Sequence, residues 1–104
     1  MSGQAVIRFS APLRMVLIEE GFDPSGAITL PDEAEAEVRA GVRELGRKRA
    51  FGSVKVGASL GGSRWQTTLC PIKGRGLFLP VKKAVRLAEG LSDGDLVTVE
   101  LELL

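Results

Sequence analysis

The chain has 104 residues, 44% of them hydrophobic, and its 14 basic and 13 acidic side chains leave a net charge of +1. That length holds one hydrophobic core, and the mixture of apolar and charged residues fits a globular fold rather than a disordered one. The chain has no histidine, which excludes an internal Ser-His-Asp or Cys-His catalytic set and a histidine-bearing zinc site.

In chain order, Ala5–Ser10 alternates Ile7 and Phe9 against Val6 and Arg8, the period of two that marks a strand. After Pro12, the apolar run from Leu13 to Glu19 reads as a second strand because Val16 and Ile18 are β-branched. Glu20–Gly26 is a loop by composition. A short strand, Ala27–Leu30, then leads to Pro31, placed to open a helix, with Asp32 and Glu33 beside the helix's positive end. Ala34, Val38, Val42 and Leu45 form one apolar stripe, so the helix is predicted from about Pro31 to Leu45, with Arg43, Arg47, Lys48 and Arg49 toward its far end.

The stretch Val54–Leu69 is the most explicit. Val54, Val56, Ala58 and Leu60 alternate with Lys55, Gly57 and Ser59, and beyond Gly61-Gly62 the residues Trp65, Thr67 and Leu69 alternate with Arg64, Gln66 and Thr68. Two glycines between strands predict a tight hairpin with positive φ at both central positions. The register then sets Leu60 opposite Ser63, Ala58 opposite Trp65, Val56 opposite Thr67 and Val54 opposite Leu69 on the core face. Lys55 faces Thr68 and Gly57 faces Gln66 on the outer one. Glycine opposite glutamine leaves room for a neighbouring strand or an inserted side chain.

Pro71–Gly76 reads as a loop, Leu77–Leu79 as a strand, and Pro80 as the opening of a short helix carrying Ala84, Val85, Leu87 and Ala88, with Gly90 just past its end. Ser92–Asp95 is a turn before a last strand with Val97, Val99, Leu101 and Leu103 on one face and Thr98, Glu100 and Glu102 on the other. About six strands and two short helices make a mainly β fold, a small closed or partly open barrel spanning residues 1–104. Two helices are too few to cover both faces of a doubly wound sheet. The matching runs Ala27–Pro31 and Gly76–Pro80 hint at two related halves.

Cys70 is the only cysteine, so no internal disulfide forms and a cytoplasmic, reducing setting is expected. No apolar run approaches the ~20 residues of a membrane span, and Met1–Gln4 lacks a signal-peptide pattern. A soluble protein, monomeric or a small homo-oligomer, is therefore expected.

Charge is unevenly placed. Residues 1–38 carry two basic and seven acidic side chains, residues 39–86 twelve basic and one acidic, and residues 87–104 five acidic and none basic, that is −5, +11 and −5. A basic middle of this kind attracts phosphate or another polyanion. The candidate anion- or nucleic-acid-binding residues are Lys55 and Arg64 on the outer face of the hairpin, Lys73 and Arg75 around Gly74, and Lys82, Lys83 and Arg86 on or near the second helix. The alternative is a solvated surface whose basic residues pair with the acidic ends. Trp65 and Phe78 are read as core residues, not as stacking platforms for bases.

Other chemistry finds little support. Lys73-Gly-Arg-Gly76 lacks the phosphate-loop pattern and precedes a strand. Asp93 with Asp95, and Asp32 with Glu33, are explained by a turn and a helix start. No cofactor, metal or catalytic residue is expected. The working function is a small non-enzymatic barrel domain of unknown role, with an interaction module as one option. A nucleic-acid- or anion-binding protein is the runner-up, and a small ligand-binding or hydrolytic enzyme comes third.

The stretches Ile28–Pro31, Phe51–Val56, Gly61–Thr68, Leu79-Pro-Val81 and Gly94–Val97, at their spacing along the chain, resemble the uncharacterised bacterial family called domain of unknown function 1905. The similarity runs from about Phe9 to the last strand. It implies a small double-split barrel and brings no catalytic residues with it. The order from Gly74 onward, strand, helix, Gly90–Asp95, strand, is also similar over about 30 residues to the swapped-hairpin DNA-binding domains of antitoxins and transition-state regulators. In those proteins two chains interlock and present basic residues to DNA.

Overall fold

A computed structural model describes residues 6–16, 25–45, 54–71 and 76–104. They form β1 (Val6–Val16), β2 (Ser25–Thr29), α1 (Asp32–Leu45), β3 (Val54–Leu60), β4 (Ser63–Pro71), β5 (Leu77–Val81), α2 (Lys83–Glu89) and β6 (Leu96–Leu103). The strands close a barrel in the order β1-β2-β5-β4-β3-β6. Every neighbouring pair is antiparallel. Closure leaves none of the described strands as a free edge for pairing with another chain. The partly open alternative does not arise.

The first two predicted strands are one. Ile7, Phe9, Ala11 and Leu13 are all buried, so the alternation passes through Pro12 without losing phase. Pro12 faces outward where β1 leaves β6 and joins β2: it pairs with Leu96, and Leu13 pairs with Ile28. The ladder resumes at once, with Leu13 N–H donating to Asp95 O at 2.8 Å and Gly94 N–H to Leu13 O at 2.7 Å. A proline at this hand-over lets one strand serve two sheets.

The hairpin has the predicted register, from Val54 opposite Leu69 to Leu60 opposite Ser63. Its turn differs in one respect. Gly61 lies in the left-handed region at φ 57°, but Gly62 does not, so only the first central position needs glycine's freedom. Trp65 is buried beside Ala58 as expected, and its Nε1 has no hydrogen-bond partner among the described residues. Phe78 is half-buried on the outer phase of β5, between Thr29 and Cys70, rather than in the core.

Each helix closes one end of the barrel. α1 follows β2 and lies against β1 and β6, burying Ala34, Val38 and Val42. Pro31 sits just before the helix, its carbonyl accepting from Glu35 N–H at 2.9 Å. Arg47, Lys48 and Arg49 lie outside the described residues. α2 follows β5 at the opposite end and lies against β2 and β4. It is shorter than predicted and buries Val85 alone, leaving Ala84, Leu87 and Ala88 exposed. It starts at Lys83 because Pro80 belongs to β5, paired with Ala27. Gly90 ends it in the left-handed region, φ 64°, as predicted, with Leu91 N–H donating back to Arg86 O at 2.9 Å.

The ring also carries a pseudo-two-fold relation. The halves β1-β2-α1-β3 and β4-β5-α2-β6 have the same order of elements, and exchanging them maps the strand order onto itself. Aligning the helix starts Asp32 and Lys83 places Ile28 on Leu79 and Gly26 on Leu77. The registers then carry Met15 to Pro71, Phe9 to Trp65, Arg8 to Arg64 and Glu100 to Ser59. In this alignment Pro31 corresponds to Lys82, so the shared Leu-Pro dipeptides that hinted at two halves are offset by one pleat. The two halves interlock within one chain.

Candidate functional site

The pseudo-dyad leaves the barrel between Ser59 of β3 and Glu100 of β6, which are directly opposite each other. Both point outward, because the inward phase is taken by Ala58, Leu60, Val99 and Leu101. Arg8 pairs with Glu100, and Arg64 pairs with Ser59. One cross-strand row on the outer surface therefore reads Arg8, Glu100, Ser59, Arg64. The next row along the strands reads Val6, Glu102, Gly57, Gln66.

Small residues on β3 make the middle of this face concave. A groove of about 400 Å³ opens over Gly57 and Ser59, with Glu100 and Glu102 on one side and Arg64 and Gln66 on the other. A Cβ built on Gly57 would meet nothing nearer than 3.9 Å, at Glu102 Oε1 and Leu104 Cδ2. The room expected at Gly57 is real, and β6 is the neighbouring strand. Across the row a second groove of about 250 Å³ is lined by Arg8, Ser59, Gly61, Thr98 and Glu100. These are the pseudo-symmetry counterparts of Arg64, Glu100, Glu102, Gly57 and Ser59. The main difference is that Glu102 in the larger groove is replaced by Gly61 in the smaller, so only the larger has two carboxylates.

The charged residues of this face are not neutralised by one another. Arg39 Nε pairs with Glu35 Oε2 at 2.7 Å on α1, whereas no ion pair forms among Arg8, Arg64, Glu100 and Glu102.

Of the seven residues proposed from sequence, the five that are described do not converge. Lys55 and Arg64 share the outer face but are separated by the Gly57–Gln66 pair, and Lys55 lies toward the barrel end that α1 closes. Lys82 and Lys83 are exposed at the other end. Arg86 is turned onto the barrel: its Nε donates to Val81 O at 3.3 Å, its Nη1 lies 3.5 Å from Met15 Sδ, and its Cδ crosses above Gly26. Lys73 and Arg75 lie outside the described residues. Among those described there is no continuous basic stripe, because β6 brings its acidic residues alongside β3.

The acidic pairs have structural roles. Asp93 Oδ1 accepts from Met15 N–H at 2.8 Å, and Asp95 Oδ2 accepts from Ser92 N–H at 2.8 Å. Asp32 and Glu33 are exposed in the first turn of α1. Cys70 is half-buried, its Sγ donating weakly to Thr68 O at 3.6 Å. Among the described residues no three Cys, Asp or Glu side chains gather in a way that would hold a metal ion, and no helix is long and apolar enough to cross a membrane.

A family model described as Domain of unknown function (DUF1905) matches residues 9–101. The chain belongs to that family. A search of curated proteins finds no match. This DUF1905 domain is thus a six-stranded closed barrel with two short helices, and its described residues hold no metal-binding cluster. Sequence reasoning had selected Arg64 but not Arg8, Ser59, Glu100 or Glu102 as site residues. Their signal, an exposed polar phase on strands with small residues between, was present. The β1–β6 and β3–β6 registers that bring them together were not.

Proposed function

We propose that this DUF1905 domain is a binding module rather than an enzyme, and that it receives a polypeptide segment of mixed charge on the outer face of β1-β6-β3-β4. The observation that carries the reading is the groove over Gly57 and Ser59, whose walls have opposite charge: Glu100 and Glu102 face Arg64 across a floor of these two small residues. Such walls attract a partner carrying both signs. A polyanion is disfavoured there, because phosphates attracted to Arg64 would also meet two carboxylates. Among the described residues, Lys82 and Lys83 at the far end support a nucleic-acid role.

The test is fluorescence anisotropy of labelled peptides and of mixed duplex DNA and RNA with the full chain at low salt. Mixed-charge peptides are expected to bind, to be released by added salt, and to lose affinity on Gly57→Phe, which fills the groove. Nucleic acid is expected to bind more weakly than peptide at every salt concentration. Tight nucleic-acid binding with a steep salt slope would favour the runner-up instead.

A further inference from the structure

Resting on that binding-module reading, we infer that the face selects an extended segment with the charge order acidic-x-basic-x-acidic. Arg8 and Arg64 end the outward row and are counterparts under the pseudo-dyad, with Glu100 and Ser59 between them. From β1 to β4 there are three inter-strand steps, about 14 Å in all. In an extended chain, residues on one side recur every second position, so the first and fifth are also about 14 Å apart. An extended segment crossing the strands therefore presents its first and fifth residues to the two arginines.

Its third residue then falls above Glu100 and Ser59. Glu100 and Glu102 line the larger groove there, and Gly57 leaves space for a long aliphatic stem. A lysine or arginine fits this position, with its stem over the glycine and its charge at the carboxylates. Carboxylates at both ends suit the planar forks of Arg8 and Arg64. A phosphodiester strand would place negative charge at the middle position as well as the ends. A second copy of the chain centred on the same dyad would set arginine against arginine.

The decisive comparison uses two labelled peptides of equal composition outside the motif, one with Glu-Ser-Lys-Ser-Glu and one with Lys-Ser-Glu-Ser-Lys, titrated with the full chain at low salt. Exposed ion pairs each contribute up to about five-fold in affinity, so the first peptide is expected to bind roughly ten-fold tighter. The Arg8→Glu, Arg64→Glu double variant should prefer the second peptide, and Glu100→Lys should weaken the first; circular dichroism checks that each variant is folded. Equal binding of the two peptides, both weakened by Gly57→Phe, would overturn the order rule while leaving the groove in use. No binding of either peptide would remove the module reading along with it. Self-association in sedimentation that Arg64→Glu abolishes would assign the face to a second copy and likewise overturn the proposal.

Discussion

Glu89, at the end of α2, accepts a 2.7 Å hydrogen bond from Ser63 Oγ through its Oε2, and its Oε1 lies 3.4 Å from the donating Gly62 N–H. An acidic residue at a helix C-terminus opposes the helix dipole, so α2 gives up some local stability to tie its end to the Gly61–Gly62 turn. Glu89→Ala and Ser63→Ala are each expected to destabilise the domain by about 1 kcal/mol. The double variant should cost less than the sum of the two. Urea unfolding of the four proteins in a double-mutant cycle measures the coupling. Additive losses would mean that the contact does not stabilise the fold.

The two turn glycines are predicted to behave differently. At Gly61 the left-handed backbone, φ 57°, strains any other residue, and a Cβ there would run into the Glu89 carboxylate. At Gly62 the backbone is outside that region and a Cβ would approach Glu89 Oε2 only to 3.9 Å. Gly61→Ala should cost about 1–2 kcal/mol, while Gly62→Ala should stay within about 0.5 kcal/mol of the parent. Midpoints of chemical unfolding for the two variants give the comparison. Equal, large losses would restore the expectation that both positions need positive φ.

This hairpin was the part of the fold most legible in the sequence, because its signals are local. Two glycines fix the turn, the period of two fixes the faces, and the ladder between neighbouring strands then follows. β6 was legible for the same reason. The unity of β1 was not, since proline reads locally as a break and only its place between β6 and β2 makes it harmless. The charge blocks are rearranged by the fold in a related way. Along the chain the basic middle and the acidic end are separate, but β6 lies between β1 and β3. That sets Glu100 and Glu102 beside Arg8, Ser59 and Gly57. Arg8 meets Glu100 through a pairing between the two ends of the chain, which no local pattern encodes.

Gly41 lies inside α1, where glycine is a poor helix former, and the barrel explains it. A Cβ at this position would sit 2.5 Å from Leu103 Cδ1, on the strand against which the helix packs. Alanine would gain roughly 1 kcal/mol of helix propensity, but Leu103 is buried and cannot step aside without repacking. Gly41→Ala is therefore expected to destabilise by about 1 kcal/mol alone and to stabilise when introduced into Leu103→Ala. Thermal and urea unfolding of these variants check the reversal of sign. A stabilising effect in both backgrounds would show that the helix has room to spare.

Gly57 presents the opposite case, an unoccupied position rather than a crowded one. Glycine inside a strand weakens it through backbone entropy and the loss of cross-strand contacts. Its neighbours across the sheet are Gln66 and Glu102, and the space above it is open. Gly57→Thr should therefore stabilise the domain by about 0.5–1 kcal/mol, since threonine suits a half-exposed strand. The same substitution takes part of the groove and should reduce binding of the mixed-charge peptide. Stability and binding then move in opposite directions at one residue. Paired unfolding and anisotropy measurements on Gly57→Thr read both. A variant that is stabler and binds as well as the parent would mean that the peptide does not use the groove floor.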